Sequence, residues 1–302
     1  MIDIRQSQHY ANYLKRLGWT VERIGEINYF IRRFPIVGSI LKVQRPEEIR
    51  YDTIKQLCRK YHVFQVILEP KLMTPIENYH NLLLHHGFKL SKSPYLPTKT
   101  LQIDLTQSQK EIFKHFKKDA KSAIKKSFDS SEASTELSRT SSLRTNREVK
   151  NAIHQYSSLE DIIRWRDAWK NSVKFNRYVL PVGQLLNLRK SFPGSYSLFL
   201  ASHNISGRIT GGVLFTRSLH DFAYYWYGFT NYEGRASLSQ YSLLYHGILW
   251  AKRQGCKVFD FEGVYDPRFP NKGWFGFSHF KRSFGGYEVE YPGCYTKLRL
   301  PL

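Results

Sequence analysis

Acidic residues are scarce in this 302-residue chain: 25 Asp and Glu stand against 46 Lys and Arg, a formal net charge of +21. That surplus says nothing about fold, but it favours polyanionic partners, nucleic acid or an acidic membrane surface. Cysteine is scarcer still. Cys58, Cys256 and Cys294 are widely spaced, which excludes a disulfide framework and a C-x-x-C metal knuckle and points to a reducing compartment. No uninterrupted apolar run approaches the roughly 20 residues that span a bilayer. The opening Met1-Ile-Asp-Ile-Arg5 has neither the basic stretch nor the apolar core of a signal peptide. The expectation is a cytoplasmic protein, with peripheral contact at the inner face of an anionic membrane left open. His115, His154, His246 and His279 lack metal spacing, so no metal site is expected. No internal sequence repeat stands out.

What is present is enough apolar material for two packed interiors: 41% hydrophobic and 15% aromatic residues, on a length that suits two modules of roughly 150 residues. Tyr10, Tyr13, Leu14 and Leu17 share helical spacing before Gly18, and residues 21–34 read as a hairpin. A helix over 50–61, a strand over 63–68 and a helix over 76–86 continue an α/β layered pattern. Lys99 to Leu105 alternates as a strand. Thr106 and Gln109 have capping-box spacing for a helix whose lysines, Lys114, Lys117, Lys118, Lys121 and Lys125, lie opposite an apolar stripe. Residues 127–145 turn to Ser, Thr and charge and read as a connector. Beyond it come a helix from Leu159 to Asn176, strands over 196–201, 208–215 and 221–229, and a long helix over 237–254. A strand over 258–261, a helix over 275–284 and a last strand near 287–291 complete the chain. Module boundaries are expected at 1–148 and 149–286, with the segment 287–302 returning to the first module.

Two stretches carry a family resemblance. Phe259-Asp-Phe-Glu-Gly263, followed by Gly276-Phe-Ser-His-Phe-Lys-Arg-Ser-Phe-Gly285, resembles the "Asp-Phe-x-Gly … Phe-Lys-x-x-Phe-Gly" ending of the FemABX peptidoglycan aminoacyltransferases. Gln6-Ser7 with the Leu101–Leu105 strand and the lysine-rich helix is a weaker match. The chain has no room for the long helical arm of some members, so the arm-free, FemX-like form is the nearer one.

The resemblance implies two GNAT-like α/β (α+β) domains. It also implies an enzyme that moves an amino acid from aminoacyl-tRNA, its co-substrate, to the stem peptide of a peptidoglycan precursor, UDP-MurNAc-pentapeptide or lipid II. No other cofactor is implied. An amine attacks an ester, and the tetrahedral oxyanion needs a fixed positive charge. The lysine of the Phe-Lys pair matches Lys281, with Phe280 shaping the pocket. Asp260 at a strand end and Asp104 ahead of a helix are further catalytic candidates, although each is equally readable as an anchor of the following turn. Tyr225 and Tyr227, expected on one face of a strand, Arg177, and the basic cluster containing Arg33 and Arg45 are acceptor-binding candidates. The five lysines of the basic helix are tRNA candidates, or simply a solvated face. A coenzyme-A-dependent N-acyltransferase on the same core is the first rival. It needs a Gly-rich loop to cradle a pyrophosphate at the long helix, and Asn231-Tyr-Glu-Gly-Arg-Ala-Ser237 does not fit one. The second rival, a non-catalytic RNA- or membrane-binding protein, rests on charge alone.

Overall fold

A computed structural model describes residues 2–71, 76–126, 152–174, 177–219 and 221–299, without the side chains of 76–78 and 272. The expected connector at 127–145 and the end of the helix expected to reach Asn176 lie outside the described residues.

Two sheets organise the chain. The first contains β1 (Thr20–Ile24), β2 (Ile27–Phe34), β3 (Gly38–Gln44), β4 (Val63–Glu69), β5 (Lys89–Leu90) and β13 (Tyr295–Leu298), in the order β1-β2-β3-β4-β13-β5. The second contains β6 (Lys99–Asp104), β7 (Ala152–Tyr156), β8 (Ser197–His203), β9 (Ile209–Arg217), β10 (Phe222–Thr230), β11 (Val258–Gly263) and β12 (Tyr287–Glu290), in the order β12-β6-β11-β10-β9-β8-β7. Each sheet is an antiparallel meander with one parallel pair, β3 with β4 and β10 with β11. Parallel neighbours need a crossover; α2 (Tyr51–Lys60) makes the first and α9 (Ser239–Arg253) the second. The two modules thus repeat one plan that sequence identity does not reveal.

Three cores follow from alternation. Ile27, Tyr29 and Ile31 of β2 face α2 with Leu41, Val43 and Leu57. One face of the second sheet packs Phe215, Phe259 and Phe261 on α9. Its other face packs Tyr224 and Phe229 on Trp165 of α6 (Leu159–Ser172) and on Leu185 of α7 (Val182–Ser191). Tyr13 and Leu14 of α1 (Gln8–Arg16) and Phe30 of β2 join this core, so it also glues the modules together.

Two expectations need correction. Strand β6, with Ile112 of α4 (Gln109–Lys114) and with Ala120 and Ile124 of α5 (residues 118–126), packs in the second module's core. The division between sheets therefore follows β5 rather than residue 148, and the tail is split: β12 joins the second sheet and β13 the first. The lysine-rich helix is two helices, because the Lys117 N–H leaves the helical ladder and donates to Ser283 O at 2.7 Å. The long helix expected over 237–254 is α9, and a short helix the sequence did not announce, α8 (Tyr232–Ala236), precedes it across Leu238 at φ 56.

Candidate active site

Strands β10 and β11 run side by side only as far as Tyr224 and Asp260. Beyond that point each is deflected. A β-bulge at Trp226 shifts the β10–β9 register, and the β11–β6 register slips between Asp260 and Gly263, where Glu262 sits at φ 60. The strands diverge and open a crevice outside their carboxyl ends, the usual place for a ligand beside a parallel pair. A cavity of about 340 Å³ lies there, walled by Trp226, Trp274 and Phe277, with Pro97, Gly263, Glu262 and Lys281 completing it. A larger cavity, about 690 Å³, adjoins it between the segments 92–98 and 264–274 and shares Pro97 and Trp274.

Lys281 comes from α10 (Phe275–Arg282). That helix is fixed to the preceding loop by Ser278, whose hydroxyl donates to Trp274 O at 2.7 Å and accepts the Tyr265 N–H at 2.6 Å. The Lys281 ammonium donates to Gly263 O at 2.6 Å and lies 5.7 Å from the centre of the Tyr225 ring. Burial lowers it to about 8, against the upward pull of Glu262 and Asp260.

Behind the lysine is a buried ionic cluster. Asp260 Oδ2 accepts from Gln102 Nε2 at 2.9 Å and from the Thr100 hydroxyl at 3.2 Å, and its Oδ1 accepts the Glu262 N–H at 2.6 Å. This last bond holds Glu262 in its left-handed conformation. Burial, then the charge of Glu262, raises the Asp260 carboxyl. Arg5 Nη2 bonds Glu262 Oε1 at 2.6 Å, and Arg5 Nη1 meets Asp3 Oδ2 at 3.3 Å. The first turn of the chain thus supplies the counter-charge for the strand end that forms the cavity.

The structure brings Lys281 and Asp260 together, with Tyr225 against the lysine. Phe280 is not on the wall; it packs edge-on against Tyr241 and Phe284, and Phe277, one turn earlier, faces the cavity. Asp104 lies outside the cluster, its Oδ1 accepting the Thr106 N–H at 2.8 Å and the Thr106 hydroxyl at 2.6 Å, bonds that lower its carboxyl. Tyr225 and Tyr227 do not share a face. The extra residue at Trp226 flips the alternation, so Tyr225 packs with Phe215 and Phe261 while Tyr227 packs with Trp169 on the other side. The Tyr225 hydroxyl accepts from Gln240 Nε2 at 3.2 Å. Exposed Arg177 stands over the Phe277 ring at 5.5 Å, on the rim. Arg45 is buried and structural: its guanidinium donates to Pro70 O at 2.9 Å and Pro97 O at 2.5 Å and stacks 3.4 Å from the Tyr291 ring. Arg33 is exposed over Tyr61, in the first sheet. Of the five lysines, Lys114, Lys117, Lys118 and Lys125 are exposed, and Lys121 donates to Lys114 O at 2.7 Å.

Sequence reasoning missed Arg5, Glu262, Trp226, Trp274 and Phe277. Glu262 and Phe277 stand inside the two motif stretches and Arg5 beside Gln6, so proximity to those motifs was the available signal. Gln6 itself is structural, accepting the Asn28 N–H at 2.7 Å, and Ser7 caps α1.

The segment leading into α9 offers no cradle for a pyrophosphate. The Gly234 N–H donates to Asn231 Oδ1 at 2.8 Å, and the N–H groups of Arg235, Ser237 and Leu238 are spent on carbonyls of the same turn. A Cβ at Gly234 would lie 2.2 Å from Thr210 O, so this glycine serves close packing on β9.

No family model matches the chain, and no curated protein matches it. Solved structures do. FemX superimposes with a TM-score of 0.77 over 98% of this chain and 92% of its own, at 13% identity. The C-terminal domain of an Agrobacterium fabrum protein provisionally named lysylphosphatidylglycerol synthetase gives 0.56 over 98% and 89%, at 12% identity. A tandem GNAT protein from the clavulanic acid biosynthesis pathway gives 0.52 over 91% and 84%, at 10% identity. The fold is therefore FemX-like, two GNAT-like domains in tandem.

Proposed function

We propose that this protein is a tRNA-dependent aminoacyltransferase that adds an amino acid to the stem peptide of a peptidoglycan precursor. The observation that carries the reading is the Lys281 ammonium, desolvated beside an aromatic-walled cavity and held by a single carbonyl. The acceptor amine attacks the ester carbonyl, forming the C–N bond and leaving an oxyanion. A fixed ammonium in a dry site stabilises that charge without solvent reorganisation. Collapse breaks the C–O bond to the ribose; the amine gives up a proton and the ribose oxygen gains one. Aminolysis of an ester runs downhill, so no nucleophilic cysteine is called on. The FemX and lysylphosphatidylglycerol synthetase likenesses support a donor of the aminoacyl-tRNA class. Against the coenzyme-A alternative stand the N–H groups of Gly234, Arg235, Ser237 and Leu238 ahead of α9, which are already spent within their own turn.

Incubation with mixed charged tRNAs and UDP-MurNAc-pentapeptide, read by mass spectrometry, should show the precursor heavier by one or more aminoacyl residues. Lys281→Ala should lower single-turnover transfer by roughly 10²–10³-fold with both substrates saturating. Full transfer by a folded Lys281→Ala protein would remove the lysine from the mechanism. Micromolar binding of acetyl-coenzyme A would favour the rival chemistry.

A further inference from the structure

The hairpin joining β2 to β3 ends in a turn that folding stability does not explain. Ile36 sits at φ 72, and the Val37 N–H donates to Pro35 O at 2.8 Å. This is the positive-φ γ-turn, the rare and strained kind. Glycine would occupy it without penalty, whereas a β-branched residue there is an outlier. Packing does not offset the strain, because Ile36 is 107% exposed, Val37 57% and Phe34 40%. The apex Phe34-Pro-Ile-Val37 is an apolar knob turned outward.

Cations surround the knob's base. Arg32 reaches back to donate to Leu17 O at 2.8 Å, which places the exposed Lys15 and Arg16 at the end of α1 beside this hairpin. Arg33 lies 5.1 Å from the centre of the Tyr61 ring, which brings in the exposed Arg59 and Lys60 at the end of α2. Glu22, the carboxylate these strands carry at this end, pairs with Lys60 at 2.6 Å and with the Tyr61 hydroxyl and so cancels that one charge, leaving Lys15, Arg16, Arg33 and Arg59 as the exposed cations. An exposed apolar apex within a ring of Lys and Arg is the arrangement that enters the boundary of an anionic bilayer: the side chains leave water while the cations meet headgroup phosphates. Nucleic acid would satisfy the cations but leave Ile36 and Val37 in water.

We infer that the β2–β3 hairpin is a membrane-docking element, with Phe34, Ile36 and Val37 inserting among the headgroups of an anionic lipid surface. Among the described residues no helix is long and apolar enough to cross a membrane, so this contact is peripheral. Strand β3 starts at the knob and ends at Gln44, next to Arg45 and its contact with Pro97 at the cavity. Seven residues at about 3.3 Å each place the cavity end of β3 roughly 20 Å from the knob.

Flotation with phosphatidylcholine vesicles, with and without phosphatidylglycerol, tests this without any transfer assay, so its failure leaves the enzymatic reading standing. The wild-type protein should float with the anionic vesicles alone. Ile36→Asn with Val37→Asn should lower that partition at least about tenfold, and its thermal midpoint should hold, since both side chains are exposed and pack on nothing the fold needs. Should the double variant melt early, Ile36→Gly removes the apical side chain while relaxing the backbone and should show the same loss. Equal flotation of a folded variant would overturn the proposal, as would absence of wild-type binding to anionic vesicles. A hairpin variant that loses tRNA binding instead would show that the surface serves RNA.

Discussion

Desolvation disfavours charge of either sign, so the same burial that lowers the Lys281 ammonium to about 8 raises the Asp260 carboxyl. For Lys281 the folded value lies below the usual 10.5. Between the two the unfolded chain binds more protons, so this group's contribution makes stability rise with pH from about 8 to 10.5. Under the proposed mechanism activity moves the other way, because the oxyanion needs the charged form. Transfer corrected for spontaneous deacylation should decline above pH 8 or so. In Lys281→Arg, slower from the start, that decline should vanish, as guanidinium stays charged. Glu262→Gln should move the wild-type limb to lower pH by removing a charge that favours the ammonium. An alkaline limb that survives in Lys281→Arg would belong to another group. Arg5 presents a stability test of the same cluster. Arg5→Met leaves the Glu262 and Asp3 carboxylates without their shared cation, at a cost of about 3–5 kcal/mol. Adding Glu262→Gln should return part of it, and strict additivity in urea midpoints would mean the pair is uncoupled. Lys281 was legible in the sequence because it lies in a compact motif. The partnership of Arg5 with Glu262 was not, because it spans 257 residues and depends on one left-handed backbone position.

Elements were read well where periodicity is unbroken and poorly where one residue interrupts it. Helix α2 and strand β4 fall where their apolar spacing puts them, whereas the single extra residue at Trp226 moved Tyr227 to the opposite face from Tyr225. The short strands β5 and β13 are too brief to leave a pattern, and their pairing is set by residues some 200 positions apart. Helix α9 shows a related limit of local reasoning. Replacing glycine by alanine inside a helix normally stabilises by about 1 kcal/mol. At Gly247 an added Cβ would lie 2.1 Å from the Phe215 ring, in the core between α9 and β9. Overpacking of this kind costs about 1–3 kcal/mol, so Gly247→Ala should melt below the wild-type protein. A higher midpoint would mean that the Phe215 ring swings aside freely.

At the scale of the whole molecule the +21 charge is distributed over separate surfaces that can be tested one against the other. Lys118, Lys121 and Lys125 follow one stripe of α5, three and four residues apart, with Lys118 and Lys125 exposed. The hairpin cations lie on the first sheet, on a different module. If the α5 stripe tracks the tRNA backbone, each phosphate it neutralises releases counterions and steepens the salt dependence of binding by roughly 0.7–0.9 in log–log slope. Lys118→Glu with Lys125→Glu should therefore flatten that slope by about 1.4–1.8 and weaken tRNA binding at low salt, while transfer at saturating tRNA stays near normal, because neither side chain touches the cavity. The Ile36→Asn, Val37→Asn variant should leave the slope alone. Filter binding over a range of salt concentrations reads both. An unchanged slope in the lysine variant would reduce the α5 stripe to a solvated face, and the proposed donor tRNA would then have to be held through contacts nearer the cavity, where Arg177 stands on the rim.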